Sequence, residues 1–420
     1  MIVQRNYRLL LASQFLGAFG DNAILAVILG QLTLQQRQGL ITESQLGASS
    51  ALYTSLLFVP YVVLAPMAGF LNDRFAKTQW LLGGNFIKLV GTAIAAASVW
   101  HGAFWQGFGY FIVGIGGCFY SPAKYGILPE IVSRDLLVKA NGTIEFLTLI
   151  AILTGNIGGA KMIDLLPVPV CYGILLVLFG SSLGLNACMS RTPAHPAVRL
   201  RGSLDEFFGN FADLLSNPRL FRVLCGTGLF WVCGAVMKMN FPAWGLNVLK
   251  LESNTKIALL GLWLSVGIMG GAVLAGQLHR VGDLRGARPY GWLLAGFTGM
   301  LGLVELLMGA ELLHSRSVVI AMLVLVGAVA GLFLIPLNAA LQSECNQARL
   351  GKTIATQNFI DNLGMVGAGG LVFMGARAGL NASGVFLWLS VLLAVAVTGL
   401  RVPLKRQELV ETAKTFEPDI

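Results

Sequence analysis

The chain has 420 residues, of which 12% are charged and 55% hydrophobic, with a formal net charge of +9. Soluble domains carry about 25% charged residues, so this chain has too few to cover a water-exposed surface, and it is far too apolar to be disordered. A mean hydropathy of +0.73 and 52 glycines describe instead a polytopic membrane protein whose helices approach closely through small residues.

A spanning helix needs about 20 mainly apolar residues. Twelve segments meet this in chain order, at 8–34, 47–71, 79–100, 103–125, 140–163, 168–190, 219–247, 257–280, 289–311, 317–341, 353–376 and 381–403. The first carries Asp21 and Asn22, which suits no signal-peptide core, so it is expected to stay in the protein. Basic residues are unevenly shared among the connections. Twenty-one lie on the side holding both termini and six on the other, namely Arg37, Lys161, Lys250, Lys256, Arg316 and Arg377. The positive-inside rule places both termini in the cytoplasm, and this asymmetry accounts for the net charge without nucleic acid. The organisation expected is a six-helix bundle over 1–190, a cytoplasmic linker over 191–218, a second six-helix bundle over 219–403 and a cytoplasmic tail over 404–420. Within the linker, Ser203 and Glu206 have capping-box spacing. Phe207, Phe208, Phe211, Leu214 and Leu215 form an apolar stripe suited to an interfacial helix.

The halves echo each other. "SPAKYGILPE" at 121–130 matches "IPLNAALQSE" at 335–344, aligning Pro122 with Pro336 and Glu130 with Glu344. Six helices repeated once is the pattern of the major facilitator fold, all-α with twelve membrane helices, whose substrate site lies between the halves.

Enzyme motifs fail. No His is followed by an Asp with four residues between them, the usual acyltransferase arrangement. "GSSLG" at 180–184 lies within a spanning segment rather than at a strand-to-helix turn, and the Gly-Lys-Thr at 351–353 lacks its upstream glycine. The four His residues have no metal-ligand spacing, and the six cysteines are scattered and fit small buried hydrophobes. No enzyme activity, cofactor or metal is expected.

The informative residues are ionisable ones within spans, each costing about 2.5–3.5 kcal/mol or more at a helix centre. They are Asp21, Lys88, Glu145, Lys238, Glu305 and Asp361. Gln14 shares a face with Asp21. Trp231 and Phe241 flank Lys238 at helical spacing, and Asn141, Glu145 and Thr148 share a face, as do Gln357, Asn358 and Asp361. Asp21, Lys238, Gln14, Asn22, Trp231, Phe241, Glu145, Asn358 and Asp361 are therefore the candidate substrate-binding residues. Glu145 and Asp361 lie in the cytoplasmic third and are equally candidates for gate hydrogen bonds. Lys88 and Glu305 are read as lone charges engaged in helix pairing or reaching the lipid interface. The loop "GFLNDRFAKTQ" at 69–79 resembles the major facilitator loop signature, with Ala76 where that signature has Gly. It gives Asp73, Arg74 and Lys77, with Lys124 and Glu130, as a candidate gating cluster.

Several strings carry a narrower resemblance: "QFLGAFGDN" at 14–22, "DRFAK" at 73–77, "YSPAKYGILPE" at 120–130, "KANG" at 139–142, "LFW" at 229–231 and "PLNAALQ" at 336–342. Together they resemble the bacterial lysophospholipid transporter family of the major facilitator superfamily. That resemblance implies a flippase moving lysophosphatidylethanolamine-type lipids to the inner leaflet of the bacterial inner membrane. It also implies alternating access and a functional partner, an acyltransferase–acyl carrier protein synthetase, that re-acylates the product. The family's charged cavity set maps to Asp21, Lys124 and Lys238, with Lys238 where an Arg is expected. Lys keeps the charge for a phosphate but not the bidentate fork, and Asp21 suits an ammonium. The protein is expected to work as a monomer. Two alternatives remain at this point: a proton-coupled exporter of drugs or metabolites, and a non-transporting scaffold for the acyltransferase.

Overall fold

The structure is a computed structural model that describes residues 2–133, 137–194, 196, 199–279, 283–313, 316–345 and 350–401. At 2–4, 137–139, 142, 305–313, 316 and 350–352 that description is of the backbone. The tail over 404–420 and the side chain of Glu305 lie outside the described residues. The fold is all-helical. The helices are α1 (Ile2–Arg37), α2 (Glu43–Val63), α3 (Ala65–Arg74), α4 (Lys77–Ala96), α5 (Ser98–His101), α6 (Ala103–Gly126), α7 (Leu128–Ile131), α8 (Leu137–Leu165), α9 (Val168–Ala187), α10 (Leu200–Ser216), α11 (Pro218–Ala243), α12 (Asn254–Leu278), α13 (Ala287–Leu313), α14 (Arg316–Glu344), α15 (Leu350–Arg377) and α16 (Ala382–Gly399).

All twelve expected spans are present as helices, the second divided into α2 and α3. That break falls where Pro66, at the start of α3, has no N–H to continue the α2 ladder. Thr42 and Gln45 form a reciprocal capping box that starts α2. Ten spans among the described residues are long and apolar enough to cross a membrane. The two expected spans outside that ten are α6, whose six glycines dilute its hydropathy, and α13, whose last turns are described as backbone.

The chain divides into two compact units. The first holds residues 1–207 with 241–246 and 250–259, and the second holds 208–240, 247–249 and 260–420. The division falls within α10, between Phe207 and Phe208. The N-terminus of α10 corrects the expected cap. The helix begins at Leu200, and the Ser203 N–H already bonds the Arg199 carbonyl, so Ser203 is inside the first turn. The helix buries Asn210 and Leu214 and leaves Phe208 and Leu215 exposed. Asn210 donates to Thr356, and the Phe211 ring meets Phe359 edge-on.

In each unit, glycines set the distance between helices. A Cβ on Gly109 of α6 would lie 2.2 Å from the Ala95 nitrogen of α4, and one on Gly116 would lie 2.5 Å from the Gly84 carbonyl oxygen. In the second unit Gly267 and Gly271 of α12 face Gly327 and Gly331 of α14 as two small-xxx-small stripes. All six cysteines are free. Cys118, Cys171, Cys233 and Cys345 are buried as expected, but Cys188 and Cys225 are exposed, because their helix faces turn outward.

The first unit also holds the start of α12 against the ends of α1 and α8. The Asp164 carboxylate accepts from the backbone N–H of Asn254 (2.9 Å) and Thr255 (2.7 Å) and from both their side chains. It thereby caps α12 from another helix. Arg37 donates to the carbonyls of Leu251 and Glu252, and Thr33 donates to Asn254. The sequence patterns did not mark Asp164, because a cap supplied from 90 residues away leaves no local spacing. At the α12–α13 connection Arg285 donates to both Asp283 oxygens at 3.0 Å. These bonds hold the Asp283 carboxyl down at about 2.

The glycine stripes generate a paired test. Gly271→Ala would place a Cβ 2.0 Å from the Ala328 carbonyl oxygen, whereas nothing lies within 4 Å of a Cβ on adjacent Gly270. Gly271→Ala is expected to destabilise the protein by at least about 1–3 kcal/mol, the usual cost of overpacking. Gly270→Ala should be close to neutral. Thermal unfolding of the two purified variants in detergent measures the difference.

Candidate functional site

In the first unit the candidate residues gather around Asp21 on α1. Lys88 of α4 donates to Asp21 Oδ2 at 2.6 Å. Lys88 is only 2% exposed and lies 5.1 Å from the centre of the Tyr120 ring. Asp21 Oδ1 is buried and has no hydrogen-bond partner among the described residues. Lys88 therefore does not stand alone on its helix, and Asp21 is neutralised from within its own unit. Of the two expectations for Lys88 the contact is helix pairing, and sequence spacing did not name the partner because it lies 67 positions away on another helix. The closeness of α4 and α6, set by glycine, brings Lys88 under Tyr120.

A polar ladder surrounds the pair. Asn85 donates to Ser182 at 2.7 Å, Ser182 donates to the Ser13 carbonyl at 2.8 Å, and the Ser13 and Tyr120 hydroxyls are 3.3 Å apart. Gln14 donates to Thr148 of α8 at 3.0 Å, so the Gln14 and Thr148 faces inferred from spacing do meet. Asn22 donates to the Ala18 carbonyl of its own helix. Glu145 is exposed and accepts from the Tyr125 hydroxyl. Lys124, 6% exposed, lies 4.3 Å from the Tyr125 ring centre. It is within electrostatic range of Glu145, Lys88 and Asp21.

The expected gating cluster divides. Lys77 and Glu130 form an ion pair at 2.5 Å. Lys124 turns instead toward Tyr125 and the Asp21 group, because its position in the last turn of α6 faces inward. Arg74 lies between the Phe70 and Phe75 rings, at 5.9 Å from each centre, and Asp73 is exposed.

In the second unit Asp361 of α15 accepts from Thr227 of α11 at 3.1 Å, and the Trp231 indole also hydrogen-bonds its carboxylate. Trp231 is 40% exposed and packs edge-on against Phe230. Gln357 donates to Asn338 of α14 at 2.7 Å, while Asn358 is exposed and its carbonyl accepts from Asn362. Lys238 is half-buried on α11. Phe241 is buried and packs against Trp244. Glu344 is held by Arg219 through two bonds of 2.8 and 3.0 Å. The repeat-related Glu130 and Glu344 thus each carry a half-buried ion pair, with partners on different helices.

These arrangements can bind a ligand of mixed charge, since they offer carboxylates and ammonium groups within spanning helices. Among the described residues there is no His, Cys, Asp and Glu group able to hold a metal ion.

Comparison with known proteins gives the family. The model of the Major Facilitator Superfamily matches residues 10–369. The lysophospholipid transporter LplT of Enterobacter sp. is 32% identical over 400 residues, covering 94% of this chain and 95% of that protein. The LplT of Photorhabdus laumondii subsp. laumondii is 31% identical, with 95% and 96% covered, and that of Pectobacterium carotovorum is 33% identical, with 90% and 89% covered. Among solved structures, a POT family transporter in complex with 5-aminolevulinic acid superposes with a TM-score of 0.72 at 14% identity, covering 99% and 100% of the two chains. The human organic anion transporter MFSD10 gives 0.66 at 16% identity, with 96% and 100% covered. These two likenesses concern the fold. Near-full-length identity above 30%, the match along residues 10–369 and the all-helical fold agree: the chain is a multi-pass membrane transporter, not an enzyme, and belongs to the LplT lysophospholipid transporter family of the major facilitator superfamily.

Proposed function

We propose that this protein carries lysophospholipids, lysophosphatidylethanolamine among them, across the bacterial inner membrane by alternating access. The observation that carries the reading is the near-full-length likeness to proteins named lysophospholipid transporter. The chemistry of the spans supports it. A lysolipid headgroup joins a phosphate to an ammonium or another polar group, and a single acyl chain follows. Asp21 suits the ammonium, and Lys238 suits the phosphate as a charge-assisted donor. Exposed Trp231 and neighbouring apolar helix faces suit the chain. Asp361 and Glu145 serve as hydrogen-bond partners at the cytoplasmic ends of their helices. Gln14, Asn22 and Asn358 add polar contacts, and Phe241 acts as packing. Lys77–Glu130, Asp73, Arg74 and Lys124 form the cytoplasmic gate. Both termini face the cytoplasm, in keeping with the basic loops on that side. The protein works as a monomer beside an acyltransferase–acyl carrier protein synthetase that re-acylates the lipid.

The bonds from Arg37, Thr33 and Asp164 to residues 251–255 form the outer latch of this cycle. They lie on the side with few basic residues and must open when the carrier faces outward.

Two experiments test these assignments. Labelled lysophosphatidylethanolamine uptake in spheroplasts and reconstituted vesicles should fall at least tenfold in Asp21→Ala and in Lys238→Ala. An unrelated amphiphile should not be carried by the natural protein. Full lysolipid uptake in either variant would remove that residue from the site. Transport of the unrelated amphiphile, lost on collapse of the proton gradient, would point to a proton-coupled exporter instead. Separately, an oxidised Thr33→Cys/Asn254→Cys variant should stop transporting and recover on reduction, with each single variant active. Equal rates before and after reduction would refute the outer latch.

A further inference from the structure

The Asp21–Lys88 pair belongs to a larger balanced set. Asp21, Lys88, Lys124 and Glu145 lie on α1, α4, α6 and α8, all in the first unit. Lys124 is within electrostatic range of the other three. Two carboxylates and two ammonium groups sum to zero. They are not equally placed. Lys88 and Lys124 are 2% and 6% exposed and are each covered by a tyrosine ring. Glu145 is exposed, and the Asp21 side chain keeps 20% of its surface. The carboxylates are thus the more exposed members of the set and the cations the more buried ones.

This difference in exposure constrains what can enter. Charges close together in a poorly screened interior interact strongly, and removing one partner leaves the other uncompensated. A zwitterionic headgroup brings no net charge to a set that is already neutral. An anionic headgroup adds one negative charge to a set whose carboxylates are its more exposed members. Lys88 is too deeply buried to greet the ligand, so its effect passes through Asp21 and through the net charge of the set.

We infer that Lys88 is a positioning and selectivity-determining residue, which holds Asp21 by one oxygen and sets the four-charge group to neutrality, so that headgroups of zero net charge are favoured over anionic ones. This rests on the reading of the chain as a lysophospholipid carrier. Lys88 is not thereby a ligand of the phosphate. Its role is to keep Asp21 oriented and electrically balanced through Oδ2.

The test compares transport of zwitterionic lysophosphatidylethanolamine with anionic lysophosphatidylglycerol in reconstituted vesicles. The readout is their ratio, which does not depend on how much of a variant inserts and folds. Lys88→Gln leaves the set at −1 and should raise the zwitterion-to-anion ratio by about threefold or more. Asp21→Asn leaves it at +1 and should lower the ratio by a similar factor. Lys88→Arg keeps the charge and should keep the ratio. Equal losses for both lipids in Lys88→Gln, with an unchanged ratio, would overturn the inference and leave Lys88 a brace for helix packing. A shift of the same sign in Lys88→Gln and Asp21→Asn would also overturn it. If the natural protein carries neither lipid, the carrier reading falls, and this inference falls with it. That outcome differs from wild-type transport accompanied by an unmoved ratio, which refutes the inference alone.

Discussion

An ion cannot be left alone at hydrocarbon depth. Stripping a carboxylate or an ammonium of water costs several kcal/mol even after relaxation, and only a partner with good geometry offsets it. Much of this protein's polar architecture follows from that constraint. Lys88 reaches Asp21 at 2.6 Å, Glu145 accepts from Tyr125, and Asp361 is bound by Thr227 and Trp231. Each contact ties two helices of one unit together. The charges proposed for the ligand are thus also the charges that register the helices. Substitutions at them change packing whatever they do to binding, and a selectivity ratio separates the two effects better than a rate does.

Such pairs form only if helices come close enough, and glycine supplies that closeness. Without a hydrophobic force between helices in lipid, packing and hydrogen bonds must hold them. Gly84 and Gly91 of α4 lie against Gly116 and Gly109 of α6. Lys88 lies between those two α4 glycines, its stem packed on Gly116 and its ammonium under Tyr120. A bulkier α6 would push α4 outward and carry Lys88 away from Asp21. The abundance of glycine in the composition and the buried ion pair are in this sense one design.

This explains what the amino-acid order revealed and what it concealed. Apolar length revealed the twelve helices, because hydrophobicity is a local property. Helical spacing put Gln14 and Thr148 on the faces that meet, while the contact between them is seen only in the structure. The repeat gave Glu130 and Glu344 as equivalent positions. Partners were another matter. Lys88 with Asp21, Arg219 with Glu344 and Asp164 with the start of α12 join residues 67 to 125 positions apart, and helix periodicity contains no term for that separation. The Ser203 cap failed for the opposite reason. A correct local spacing was overridden because α10 already starts at Leu200.

The geometry of each pair also separates braces from movable contacts. Arg219 grips Glu344 with two parallel bonds, using both carboxylate oxygens. A planar guanidinium fork resists exchange, because both bonds must break together. Lys88 is a point donor that occupies one oxygen of Asp21 and leaves the other without a partner among the described residues. An ammonium carries three rotatable donors on a flexible stem, so a bond to one oxygen fixes the geometry less tightly than a fork does. Asp164 stands between these cases. It makes four bonds, but to the N-terminus of a helix, where water can replace each donor in turn once the turn moves outward. On the proposed reading the three contacts divide the work: Arg219–Glu344 braces one unit, Asp21–Lys88 lies at the ligand, and Asp164 holds the outer latch.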